Sequence, residues 1–183
     1  MALTLAAVHA TEPTRRSGAF MSDLVAEMAH DVEPWVQPSI DVVLTEYRDL
    51  PDLTWGLLHA DPESEAFLRQ PDGRVVLIDW SATTYGPVLY DVASALMYLG
   101  GRQNADRFWD AYVQHSPAPV DELTAHLSAF TRYRAAVQAS YFSWRIDAQD
   151  RTGITNDEEN WKGLRDAEHM LRSSGARIIS GWS

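Results

Sequence analysis

The sequence predicts an α+β fold that is mostly α. Helical periodicity dominates both ends of the chain, and one cluster of strand-like runs lies between about residues 53 and 87. Within that cluster two apolar runs each end at an aspartate, Asp61 and Asp79, eighteen residues apart. At 183 residues and 45% apolar, the chain is long enough for one well-packed domain. We expect it to read as a helical entry over 1–52, a loop and hairpin over 53–87, and a helical subdomain over 88–183.

In chain order, Leu3 to Ala10 reads as a first helix. Ala19 to Ala29 places Phe20, Leu24 and Met28 at i, i+4 and i+8, a stripe for one buried face. Asp41 to Tyr47 repeats that habit with Val42, Val43 and Tyr47, after a turn around Pro34 and Pro38. Trp55 to Leu58 is a short apolar strand ending at His59, and the polar run Asp61 to Glu65 cannot continue it, so Asp61 sits on a loop. Ala66 to Arg69 and Arg74 to Ile78 flank Gln70-Pro71-Asp72-Gly73, a turn sequence, and read as a hairpin. Its second strand is apolar and β-branched, so burial is expected before Asp79. Val88 to Leu99 is a helix stopped by Gly100-Gly101. Another spans about Asn104 to His115. After the Ser116 to Pro119 break, a long helix runs to about Gln149 with Leu127, Phe130, Tyr133, Val137, Tyr141 and Trp144 as a core-facing stripe. Asn156 to Glu159 then place negative charge on the first turn of a helix running toward the C-terminus. That acidic run either caps the helix or forms a rim that attracts a cation.

A carboxylate at the end of a buried strand costs several kcal/mol to desolvate unless it is paired, hydrogen-bonded or metal-bound. Asp79 therefore calls for a partner such as magnesium, and Asp61 can serve as a base. The plain alternative is that both cap turns. His59, after an apolar run, has a structural role in either case, and His9 and His30 read as helix-end or surface residues without metal-ligand spacing.

The stretch His59-Ala60-Asp61, the hairpin, Ile78-Asp79-Trp80 and then Tyr85-Gly86-Pro87-Val88-Leu89-Tyr90-Asp91-Val92-Ala93 resembles the aminoglycoside phosphotransferase family, the small-molecule branch of the protein-kinase-like fold. Leu3 to Ala10 is similar to the helix that opens that family's C-terminal lobe. The resemblance implies such a lobe, with a small β-hairpin at its active site and the N-terminal lobe absent. It implies ATP and magnesium as cofactors and transfer of the γ-phosphoryl to a hydroxyl of a small molecule. Asp61 would be the catalytic aspartate, His59 would organise its loop, Asp79 would ligate magnesium, and Asp91 would brace the loop.

The chain departs from the family in two places. Where the family has an asparagine as second metal ligand, five residues after Asp61, this chain has Ala66. Glu63 or Glu65 can substitute as an oxygen donor, Glu65 being the expected metal ligand alongside Asp79. Ahead of Trp55 there is no Gly-rich phosphate loop, Gly18 being the only earlier glycine, and the sole lysine is Lys162. Those departures favour a second reading, a non-catalytic kinase-like binding or interaction module. On that reading the surface around His9, Trp55 and Trp80 is exposed, and a homodimer or the missing N-terminal lobe would cover it. A helical domain whose hairpin matches by coincidence is the third.

The formal net charge of −11, from 26 acidic residues against 15 basic ones, disfavours nucleic acid as a partner and suits a cationic small-molecule alcohol. Zero cysteines rule out a disulfide scaffold and suit a reducing cytoplasm. No apolar run approaches the roughly 20 residues a membrane helix needs, so no membrane role is expected. The N-terminus is a poor signal peptide, lacking a basic stretch before its short apolar run.

Overall fold

The computed structural model describes residues 1–174, and the C-terminal part of the expected last helical stretch, 175–183, lies outside the described residues. The chain divides into two compact units, one formed by Met1–Gly18 and Pro51–Phe130, the other by Ala19–Leu50 and Thr131–Ser183. The architecture is mostly helical with two small antiparallel sheets.

In the first unit, helix α1 (Ala2–His9) lies on strand β2 (Leu53–Leu58), the middle of a three-stranded antiparallel sheet flanked by β1 (Thr14–Arg16) and β5 (Thr84–Pro87). Gly56 of β2 explains how close they come, because a Cβ there would stand 2.6 Å from the His9 carbonyl oxygen. Strand β1 (Thr14–Arg16) was not expected in a segment read as wholly helical. It has no buried side chain, so no alternating pattern marks it. Its position comes from pairing with β2, Thr14 opposite Trp55 and Arg16 opposite Leu53. Arg15 adds an ion pair with Glu122, whose carboxylate also takes the backbone N–H and the hydroxyl of Thr54. Strand β5 (Thr84–Pro87) pairs along the other edge, Gly56 opposite Gly86 and Leu58 opposite Thr84.

Between β2 and β5 the chain makes the second sheet, β3 (Phe67–Arg69) with β4 (Val75–Leu77), closed by a turn in which Gly73 has φ +86°. The expected burial of the second hairpin strand does not hold. Val75 and Ile78 are exposed and only Leu77 is buried, because a two-stranded ribbon of three residues a side has just one face over the unit. Helix α4 (Val88–Tyr98) follows β5 directly and is buried from Val88 to Leu96. It ends at Gly100 and Gly101, with φ of +82° and +97°, as the paired glycines predict. Helix α5 (Asp106–Val113) carries Tyr112 into the interior, and the long helix α6 (Val120–Asp147) begins in this unit.

In the second unit, helix α2 (Ser22–Glu27) is shorter than its apolar spacing suggested, since Met21 adopts a left-handed conformation just before it. Phe20 is buried outside the helix, Val25 takes the inner face, and Leu24 is exposed. Helix α3 (Val36–Arg48) starts earlier than expected and contains Pro38 in its first turn, where the missing N–H has no helical partner to lose. The second half of α6 corrects the aromatic stripe. Tyr133 is buried against Tyr47, but Tyr141 and Trp144 are exposed, and the helix instead buries Ala135, Ala136, Ala139, Ser140 and Ser143. Small side chains let backbones approach, so Ser140 reaches the Val25 carbonyl at 2.8 Å. Helix α7 (Glu158–Ser173) begins with the acidic turn acting as a cap. Asn156 accepts the Glu158 N–H, and the Glu159 carboxylate accepts from Thr155, which holds it below the usual carboxylate range.

Candidate active site

The loop between β2 and the hairpin is held by one carboxylate. Asp91, in the first turn of α4 and fully buried, accepts the His59 backbone N–H at 2.8 Å on Oδ2 and the Ala60 N–H at 2.9 Å on Oδ1. Those two bonds bend the chain out of β2, and Ala60 takes a left-handed conformation with φ +69°. A Cβ makes that conformation unfavourable by roughly 1–2 kcal/mol, a strain the two bonds to a buried charge offset. Asp61, next in line, is thereby carried to the surface.

The Asp91 carboxylate is itself hydrogen-bonded from behind. His9, expected at a helix end or on the surface, is fully buried at the end of α1 with Nε2 3.1 Å from Asp91 Oδ2. Its Nδ1 lies 2.6 Å from the Tyr112 hydroxyl. Since Nε2 faces a carboxylate it carries the proton, leaving Nδ1 to accept from the phenol. Burial, with the Asp91 and Glu122 carboxylates adding to it, pushes the Tyr112 hydroxyl well above the usual phenol range, so it stays protonated. Trp55 is also buried, and of the three residues expected to be left exposed only Trp80 is open, at 41%.

His59 links the loop to the hairpin. Its ring is buried, its Nε2 donates to the Ile78 carbonyl at 2.8 Å, and its edge packs on Trp80 with centroids 5.1 Å apart. The Ile78 N–H in turn donates to the Ala66 carbonyl at 2.9 Å. The residue before Asp79 is thus tied on both sides to the segment carrying Asp61. Among the described residues His59 Nδ1 has no hydrogen-bond partner, and the buried ring acts as a tether.

Four carboxylates lie on this surface. Asp61 accepts the hydroxyl of Tyr98, at the end of α4. Asp79 has φ +61°, is exposed, and accepts the Ser81 hydroxyl at 2.8 Å. Glu63 is held above the ordinary glutamate range by partial desolvation and by the charges of Asp61, Glu65 and Asp79. Glu65, selected from sequence as the substitute metal ligand, takes part here as an exposed neighbouring charge on Glu63. Ala66 is buried and contributes only its backbone. Among the described residues no group of three or more His, Asp or Glu side chains is arranged to hold a metal alone. Uncompensated negative charge from hard oxygen donors fits magnesium bound mainly through phosphate oxygens and water, with one or two protein carboxylates.

The sequence reading names Asp61, Asp79, His59 and Asp91, which the structure places within this unit, and does not anticipate the contacts of His9, Tyr112 and Tyr98. His9 and Tyr112 are 103 residues apart and nothing in their spacing links them. Tyr98 had a signal, since it follows Asp91 by seven residues, two turns along the same helix face.

Residues 1–136 match the model of the phosphotransferase enzyme family. No sequence among curated proteins matches the chain. Among solved structures, LicA in complex with AMP is similar at 16% identity and TM-score 0.67, over 93% of this chain and 60% of that one. LicA is a choline kinase from Streptococcus pneumoniae. The amicoumacin kinase hAmiN, with AMP-PNP and calcium, gives 16% identity and TM-score 0.61 over 87% and 51%. Aminoglycoside phosphotransferase APH(4)-Ia, with ADP and hygromycin B, gives 21% and 0.57 over 85% and 52%. The chain thus spans between half and three fifths of the length of these relatives. At these identities the likeness concerns the fold, which is kinase-like, and by the match over 136 of its 183 residues the chain belongs to the phosphotransferase enzyme family.

Proposed function

We propose that this chain is the C-terminal lobe of a small-molecule kinase that moves the γ-phosphoryl of ATP to an alcohol, with Asp61 as base and Asp79 as magnesium ligand. The observation that carries the reading is the double tether of the catalytic loop. Asp91 holds His59 and Ala60 from one side while the His59 ring holds Ile78 from the other, so Asp61 and Asp79 are presented by one connected framework. Structures of its relatives with AMP, AMP-PNP and ADP support nucleotide use.

In the reaction the acceptor oxygen forms a bond to the γ-phosphorus as the bond to the β–γ bridging oxygen breaks. The acceptor proton passes to the Asp61 carboxylate, and ADP leaves. Magnesium, when bound, neutralises charge on the phosphate oxygens. Asp79, with Glu63 or Glu65, would supply its protein oxygens. With a net charge of −11, a cationic alcohol is the favoured acceptor class. The exposed Leu68, Val75, Ile78 and Trp80 on and beside the hairpin support a covering element there, either the family's N-terminal lobe or a second copy of the chain.

A second reading, a non-catalytic binding module, is favoured by Ala66 and by Lys162, which pairs with Asp166 inside α7. Thermal unfolding with and without ATP and magnesium separates the two. Enzyme function predicts a magnesium-dependent rise in Tm that Asp79→Asn abolishes, on the order of 2.7 kcal/mol at a hundredfold excess over Kd. No shift in either protein would leave the binding-module reading.

A further inference from the structure

We infer that Tyr98 is a positioning residue for the reacting carboxylate, setting the rotamer in which Asp61 meets its acceptor. This rests on the phosphotransfer reading for its chemical meaning, but the contact stands independently. Asp61 is exposed and follows a left-handed residue, so its backbone alone does not dictate where the carboxylate points. The hydrogen bond its side chain makes is from the Tyr98 hydroxyl to Oδ1. A phenol is a strong donor to an ionised carboxylate, and such charge-assisted bonds are short and directional. Occupying Oδ1 leaves Oδ2 to receive an acceptor hydroxyl.

The placement of Tyr98 makes this more than a surface contact. Asp91 and Tyr98 lie on one face of α4, about 10.5 Å apart along the helix axis. Asp91 holds the backbone of His59 and Ala60, and Tyr98 holds the side chain of the next residue. One rigid helix therefore controls both the path of the loop and the orientation of its functional group. Tyr98 is the last residue of α4, capped by Leu99 before Gly100 and Gly101 turn the chain away.

The test is Tyr98→Phe, which keeps the ring and removes the donor. In the parent chain the Asp61 Hα–Hβ couplings are expected to be one large and one small, as for a single staggered rotamer. In the variant they become nearly equal, with Tm shifted by no more than a few degrees. Where the chain turns over ATP and magnesium with ethanolamine as probe alcohol, kcat falls about tenfold to a hundredfold while KM for the alcohol stays within about twofold. Unchanged couplings in the variant would overturn the inference. So would a fall in KM at constant kcat, which would make Tyr98 a competitor for the acceptor's place. Absence of turnover in the parent chain counts against the phosphotransfer reading, and the couplings still decide the role of Tyr98.

Discussion

The two aspartates reach the surface by opposite means. Asp61 follows a turn locked by a buried charge, with Asp91, His9 and Tyr112 all sequestered behind it. Asp79 ends a hairpin of three-residue strands whose apolar side chains are largely open, and among the described residues its carboxylate has one hydrogen-bond partner, the Ser81 hydroxyl at 2.8 Å in the same turn. The difference matches their proposed tasks. A base must be held against the reacting hydroxyl by the protein alone, whereas a magnesium ligand is completed by the ion and the phosphates it carries.

If the contrast is right, removing the brace should be the most damaging change. Asp91→Ala would leave two backbone N–H groups and His9 without their buried acceptor, and we expect a loss of about 3–5 kcal/mol in denaturant unfolding. Asp79→Ala, on the open side, should stay within about 0.5 kcal/mol of the parent. Equal losses would erase the distinction between the two regions.

The strain at Ala60 gives a smaller effect of opposite sign. Ala60→Gly relieves the left-handed conformation, and although glycine gains freedom in the unfolded chain, we expect a net stabilisation of about 0.5–1 kcal/mol. A destabilised variant would mean that the Ala60 methyl group packs more than the turn resists it. The smallest effect concerns the crowded carboxylates. Because the folded state raises the Glu63 carboxyl, its ionised form is disfavoured there, so stability is lost as pH rises through its titration. Glu63→Gln should therefore raise Tm slightly at pH 7 and have no such benefit near about pH 3, where the glutamate is protonated. Magnesium should narrow the difference at pH 7, and a Tm gap indifferent to pH would remove the charge crowding from the account.

Much of this was legible in the sequence because its determinants are local. Helices α1 and α4 to α7, the hairpin turn and the ends of the apolar runs follow from periodicity, glycines and caps within a few residues of one another. Strands β1 and β5 were not legible, since a short strand is defined by its partner and β2 lies far away in sequence from β1. The inner face of α6 was misjudged for a related reason. Aromatic side chains suggest a core by their size, but Ala135, Ala136 and Ala139 are buried because neighbouring backbone comes close, and closeness is not written in one helix.

By itself the sequence determined that the chain is mostly helical, that two aspartates follow apolar runs, and that its motifs are those of a phosphotransferase. Only the tertiary structure decided that His9 and Tyr112 stand behind Asp91, that His59 spans from one aspartate's loop to the other's strand, and that Tyr98 touches Asp61. The physical reason is range. Periodicity and capping act over a turn or two of chain, whereas a buried charge must find its partners wherever folding brings them, here across 82 and 103 residues.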